Sequence, residues 1–327
     1  MKIKFIYIAL SIAMFIACGS QKNEQAKTSE AVEQSVINKS ASIEFNADSA
    51  YHYIERQVGF GPRVPNTEAH QKCSAWLSSE LRRHGATVYK QKANLKAFDG
   101  TNLNATNIIG QFNEGADNRL LLLAHWDSRP WADADPNPNN HKTAVDGAND
   151  GASGVGVLLE IARLIGLQNT DKGIDILFLD AEDWGTEGDD ESWALGAKYF
   201  VNNPFKSGYH PSEAILLDMV GGHDAVFRRE YFSEINAPTL VDKIWNIASQ
   251  SGYANSFSNE LGGAITDDHV EFIKAGIPAI DIIEYNANSE TGFNPTWHTT
   301  SDNMSGINRK TLKAVGQTIT NYIFPQK

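Results

Sequence analysis

Four short runs of β-prone, largely apolar residues punctuate the chain: 119–124 (RLLLLA), 174–179 (IDILFL), 213–217 (EAILL) and 279–283 (AIDII). Unbroken runs of this length suit strands covered on both faces, as at the centre of an α/β sheet. Between and around them the apolar period turns helical, over 67–84 with Gly85 as a stop signal, 155–165, 238–251, 269–275 and 308–324. Two further strands are expected at 88–95 and 106–111. This alternation predicts a single α/β domain built on a central, largely parallel or mixed twisted sheet flanked by helices.

The strand ends carry the chemistry. The second buried run stops in Asp180-Ala181-Glu182-Asp183, and acids at a strand's carboxyl end sit where open α/β sheets bind ligands. Two adjacent acids there can divide the work, one binding a metal while the other moves protons. A Glu-Asp pair in isolation is more often a solvated turn, so its companions matter. His125 and Asp127 follow the first buried run, Asp218 the third, and His298 the fourth. Asp150 lies in the small-residue turn 146–154, and Asp267, Asp268 and His269 precede a short helix. Parallel strands bring their carboxyl ends to one edge, so these residues can converge. A mixed histidine and carboxylate set suits zinc, whereas magnesium and calcium favour all-oxygen cages.

The first 45 residues read differently. Lys2 and Lys4 precede an apolar stretch, Phe5 to Ala17, that is too short to span a bilayer as a helix, so it reads as a signal h-region. Its end, Phe15-Ile16-Ala17-Cys18-Gly19, resembles a bacterial lipoprotein cleavage box. Residues 1–18 are therefore expected to be a lipoprotein signal peptide, with Cys18 lipidated. Residues 19–45 are expected to be a flexible polar tether and 46–327 the zinc-dependent catalytic domain. The expected location is the cell envelope, on the periplasmic or outer-membrane side, with membrane contact through the N-terminal lipid alone. A net charge of −12 over 327 residues argues against nucleic acid as a partner. Cys73, the other of two cysteines, falls on a helical apolar stripe and reads as a buried structural thiol.

Six motifs carry a family resemblance: HWD at 125–127, GANDGASG at 147–154, DAED at 180–183, LLDMVG at 216–221, DDH at 267–269 and WHTTSDN at 297–303. In this order they resemble the zinc exopeptidase family, across roughly residues 45 to 327. Trp297 directly before His298, Phe293 four residues earlier and the extra acid Asp267 resemble its glutaminyl-peptide cyclotransferase branch. The resemblance implies one zinc held by Asp150, Asp183 and His298, with Glu182 as general acid and base. It further implies a carboxylate network of Asp218 and Asp267 beside Glu182, and a substrate pocket walled by Trp297 and Phe293. The implied reaction converts the N-terminal glutamine of peptides or proteins to pyroglutamate with release of ammonia, by a monomer. Asp183 departs from the Glu of the animal cyclases. Gly188 stands where they carry a Trp, so that wall falls to Trp184, Trp193 or Trp131.

A two-metal aminopeptidase is the alternative, its second zinc bound by His125 and Asp218 with Asp150 bridging. A peptide-binding lipoprotein without catalysis would leave Glu182 without purpose. In the one-zinc reading His125 is expected to be structural, hydrogen-bonded to Asp127, and His269 a packing or capping residue. His52, His70, His84, His141, His210 and His223 default to solvated surface. Trp76 and Trp245 belong to helical core stripes. Ser153 lacks the strand-to-elbow setting of a serine nucleophile.

Overall fold

The computed structural model describes residues 43–325 apart from 169, 171 and 287. The segment read as signal peptide, with Cys18, and most of the tether lie outside the described residues. The folded unit begins at Ile43, slightly before the expected boundary. Phe45 is buried, and its amide donates to Gln317 Oε1 in the C-terminal helix. An unforeseen helix follows, α1 (Ala47–Val58), started by Asn46, whose side chain accepts from the Ser49 amide.

The sheet consists of β1 (Thr87–Lys96), β2 (Asn102–Phe112), β3 (Arg119–His125), β4 (Gly173–Leu179), β5 (Glu213–Asp218) and β8 (Ala279–Ile283). Their spatial order is β1-β2-β4-β3-β5-β8. The first two pairings are antiparallel and the other three parallel, so the sheet is mixed. The four expected buried runs form the contiguous parallel part, and their carboxyl ends share one edge.

Alternate side chains of these strands enter two different cores. Leu120, Leu122, Ile176, Phe178, Ile215 and Ile280 face a layer containing α1, α3 (Ala152–Leu167), α6 (Pro238–Gln250) and α8 (Arg309–Ile323). Leu121, Leu123, Leu177 and Leu216 face the other layer, with α4 (Leu195–Asn202) and α7 (Asp268–Lys274). Each fully buried Leu, Ile or Phe is worth ~1.5–3 kcal/mol, so the parallel strands form a stiff platform. Helix α2 (Glu68–Arg83) covers β1 and β2, and Cys73 is buried beneath it. Trp245 belongs to the core, and Trp76 packs against it half-buried.

A small appendix sits beside the platform. Strands β6 (Phe227–Arg229) and β7 (Phe257–Leu261) pair in parallel, with α5 (Tyr231–Asn236) after β6. Hydrogen bonds from Gly262 N to Arg229 O and from Tyr231 N to Gly263 O tie down the loop leading to Asp267. No helix among the described residues is long and apolar enough to cross a membrane.

Candidate active site

The acidic turn after β4 is held from two sides. Asp127, just past β3, accepts from the backbone amides of Glu182 and Asp183 at 3.2 Å each. Asp180 turns inward, taking His70 Nε2 at 2.8 Å and the Thr106 amide at 2.5 Å. The His70 ring stacks on Trp126 at 4.3 Å. His70 is therefore buried rather than on the surface, because it anchors this turn. His84 is also buried, its Nε2 2.9 Å from the Tyr53 hydroxyl. Helical periodicity could not distinguish either from an exposed histidine. Between the two anchors Ala181 adopts φ 56°, which sends Glu182 and Asp183 in different directions.

Asp150 arrives on the turn entering α3. Asp302, within the WHTTSDN segment, accepts from the amides of Asn149 and Asp150 at 2.8 and 3.0 Å, locking that turn to the far end of the chain. The Ser153 hydroxyl donates to Asn149 O and accepts from Val220 N, a structural use that leaves no nucleophile. His298 adopts φ 54° and is stacked with the rings of Trp297, at 3.5 Å, and Trp193, at 5.9 Å.

These segments bring Asp150, Asp183 and His298 together, with one potential ligand atom from each lying within 4.8 Å of the others. His298 Nε2 is 3.2 Å from Asp183 Oδ1 and 3.6 Å from Asp150 Oδ2. Both Asp183 oxygens are buried without a hydrogen-bond partner among the described residues. Orphaned carboxylate oxygens converging with an imidazole fit a zinc ion, whose charge would satisfy them.

Glu182, Asp218 and Asp267 line the same cavity, about 700 Å³ in volume, along with Asp150 and His298. The Glu182 side chain is 12 % exposed, into that cavity. Burial drives its carboxyl well above the ordinary range; His125 opposes this, while Asp267, Asp183 and Asp268 add to it. Burial likewise pushes Asp218 up to about 7, with Asp267 and Asp150 adding to the effect against His125. Trp297 and Phe293 pack at 5.0 Å and both line the cavity. Of the three candidate tryptophans Trp193 completes the wall. Trp131 and Trp184 instead meet edge-to-face at 5.6 Å outside its lining.

The expected His125–Asp127 hydrogen bond is not formed; Nδ1 lies 3.6 Å from Asp127 and stays unpartnered. Its Nε2 points instead between Asp150, at 3.0 Å, and Asp218, at 3.1 Å. The strand end aims the ring at the cavity edge, where two carboxylates compete for it. His125, Asp150 and Asp218 thus form a second possible metal cluster sharing Asp150. His269 is buried, with Nε2 3.1 Å from Glu230.

Two residues of the site escaped the sequence reading. Arg129 is buried; one of its nitrogens donates to the carbonyls of Asp183 and Gly185 at 2.9 Å each. Its guanidinium lies 4.8 Å from the centre of both the Trp131 and Trp193 rings. Asp133 pairs with Arg129 and with His298. The SRPWAD segment reads as a polar loop, and only its place just past a buried strand hints at more.

Residues 107–323 match peptidase family M28, and the chain belongs to that family. It is 52% identical to a solved glutaminyl cyclase from Porphyromonas gingivalis, with a TM-score of 0.85 over 86% of this chain and 99% of that one. A glutaminyl cyclase from Bacteroides thetaiotaomicron is 50% identical, with a TM-score of 0.85 over 88% of this chain and 100% of that one. The chain is also 27% identical to aminopeptidase YwaD of Bacillus subtilis over 80% of its own length and 54% of that protein's. It spans about half to two thirds of the length of the curated relatives it matches.

Proposed function

We propose that the chain is a glutaminyl-peptide cyclotransferase, converting N-terminal glutamine of peptides or proteins to pyroglutamate with release of ammonia. The observation that carries this reading is identity of about half the residues, over nearly full length, with glutaminyl cyclases. The geometry supports it: Glu182 lines an aromatic-walled cavity beside a three-ligand cluster.

Glutamine carries both reacting groups, so its amine nitrogen must bond to the γ-carbonyl carbon while the C–NH₂ bond breaks. Trp297, Phe293 and Trp193 would hold that chain curled and exclude water. Such orientation is worth ~7–11 kcal/mol in favourable intramolecular cases. A single zinc held by Asp150, Asp183 and His298 would supply a Lewis acid for the γ-carbonyl oxygen. Glu182 takes a proton from the attacking amine and returns it to the leaving nitrogen, which departs as ammonia. Its raised affinity for protons lets one carboxyl work in both directions. Asp218 and Asp267 support that state by like-charge repulsion.

The second reading, a two-metal aminopeptidase, draws on the His125, Asp150 and Asp218 cluster. Purified protein incubated with a Gln-initiated dipeptide amide separates the two. The cyclase reading expects pyroglutamate and ammonia, activity lost to a chelator, and one zinc per chain. Release of the first residue from Leu- or Ala-initiated peptides, with two zinc ions, reverses the assignment. We further propose that Cys18 carries a lipid anchoring the domain at the cell envelope through the 19–45 tether. Radiolabelled fatty acid incorporation that survives Cys18→Ala would refute that.

A further inference from the structure

The mechanism above leaves several buried titratable groups unused, Asp268, Asp281 and Asp302 among them. Asp281 sits in the middle of β8, fully buried, and neither of its oxygens has a hydrogen-bond donor among the described residues. It lies on the face of β8 opposite Ile280 and Ile282, which belong to the core shared by α3 and α8. Three residues are gathered around this spot: one potential ligand atom each from Asp267, His269 and Asp281 lies within 4.8 Å of the others. Asp267 lines the catalytic cavity, and its Oδ2 is itself buried and unpartnered.

The groups facing Asp281 come from three elements. Asp267, Asp268 and His269 stand at the start of α7, Glu230 with Ser233 at the start of α5, and Asp218 at the end of β5. Among them Glu230 is saturated as an acceptor. It takes the amides of Phe232, Ser233 and Ile265, the Ser233 hydroxyl, and His269 Nε2. An ionised carboxylate only accepts, so Nε2 of His269 carries a proton toward it. That fixes the ring with Nδ1 turned to Asp281, 3.9 Å from its Oδ2.

Two buried carboxylates within reach of each other do not both ionise. We propose that Asp267 and Asp281 share one proton, and that Asp281, braced by His269 and Glu230, is the positioning residue that keeps it there. The pair then carries one negative charge rather than two at the cavity wall beside Glu182. Burial, with the charges of Asp267, Asp218 and Glu230, disfavours ionisation of Asp281 and agrees with this arrangement. Only the choice of assay substrate rests on the cyclase reading.

The decisive measurement is independent of turnover. Infrared difference spectra of the zinc-loaded protein at neutral pH report a protonated buried carboxyl by its C=O stretch. Asp281→Asn and Asp267→Asn should each remove the same band. Failure of the two variants to remove one common band, or no such band in the parent protein because a cation occupies the trio, overturns the proposal. Unfolding curves establish that each variant is folded, and Asp281→Ser serves as a second variant if the first is not. With Gln-peptide as substrate, Asp281→Asn should lower kcat roughly tenfold or more with KM little changed. Asp267 freed from its partner ionises earlier, so the alkaline fall of kcat should start at lower pH. A parent protein that cyclises nothing but shows the band would sink the cyclase reading and leave the shared proton standing. Superimposable pH profiles with an unchanged band would sink the shared proton alone.

Discussion

His298 shows its Nδ1 to Asp133, 3.4 Å from Oδ1, while Nε2 turns toward Asp183. A carboxylate on the far nitrogen fixes tautomer and ring orientation for a ligating histidine, and its loss weakens metal binding by roughly 10–100-fold. Asp133 is in turn held by Arg129, which also carries the Asp183 carbonyl, so one clamp serves two ligands. Asp133→Ala should therefore lose zinc to a chelating dye at roughly 10–100-fold lower dye concentration, with the fold intact. Unaltered competition would mean the flanking tryptophans alone orient the ring.

Glu182→Gln keeps the side chain's size and removes its titration. Positioned proton transfer contributes ~10²–10⁴-fold, and kcat should fall by that order. Zinc content should not change, because the cluster of potential ligands is Asp150, Asp183 and His298. A variant that turns over normally would remove Glu182 from the proposed role.

The legible parts of the fold were those fixed by burial on both faces. The runs at 119–124, 174–179, 213–217 and 279–283 had no alternative to the sheet interior, and each lies in a central strand. Helix α1 was missed because only Ala50, Ile54 and Gln57 of its residues are buried, and it follows directly on a polar stretch. Strand β6 is too short, and β7 too exposed, to carry a period. The site residues were readable from their places after strands. Arg129, Asp133 and Glu230 were not, since their roles arise only when distant loops meet. Asp281 did leave a mark in the sequence: an acid inside the run AIDII costs several kcal/mol unless paired or protonated.

Gly154 in α3 approaches β5 so closely that a Cβ there would lie 2.0 Å from the Leu217 carbonyl oxygen and 3.0 Å from Ala124 Cβ. Helix and sheet must separate to admit even one methyl. Gly154→Ala should cost roughly 3 kcal/mol or more, a fall of about 6–12 °C in Tm. Gly115→Ala, where nothing lies within 4 Å, is the control and should stay within about 0.5 kcal/mol. Equal Tm values for the two variants would contradict the close approach.

Glu230 supplies a pH test with a definite sign. Burial by itself would push its carboxyl upward, but His269 and Ser233 outweigh that and hold it down at about 2. A carboxyl depressed in the folded state binds fewer protons there than in the unfolded chain. Its stabilisation is complete above the ordinary glutamate range and drains away as pH falls from there through about 2. The stability gap between the parent protein and Glu230→Gln, read from urea unfolding, should shrink by roughly 2–3 kcal/mol between about pH 5 and pH 2. The amide cannot titrate, so all of that slope belongs to the parent. A gap independent of pH would show that Glu230 is not held ionised, and the brace behind His269 would lose its footing.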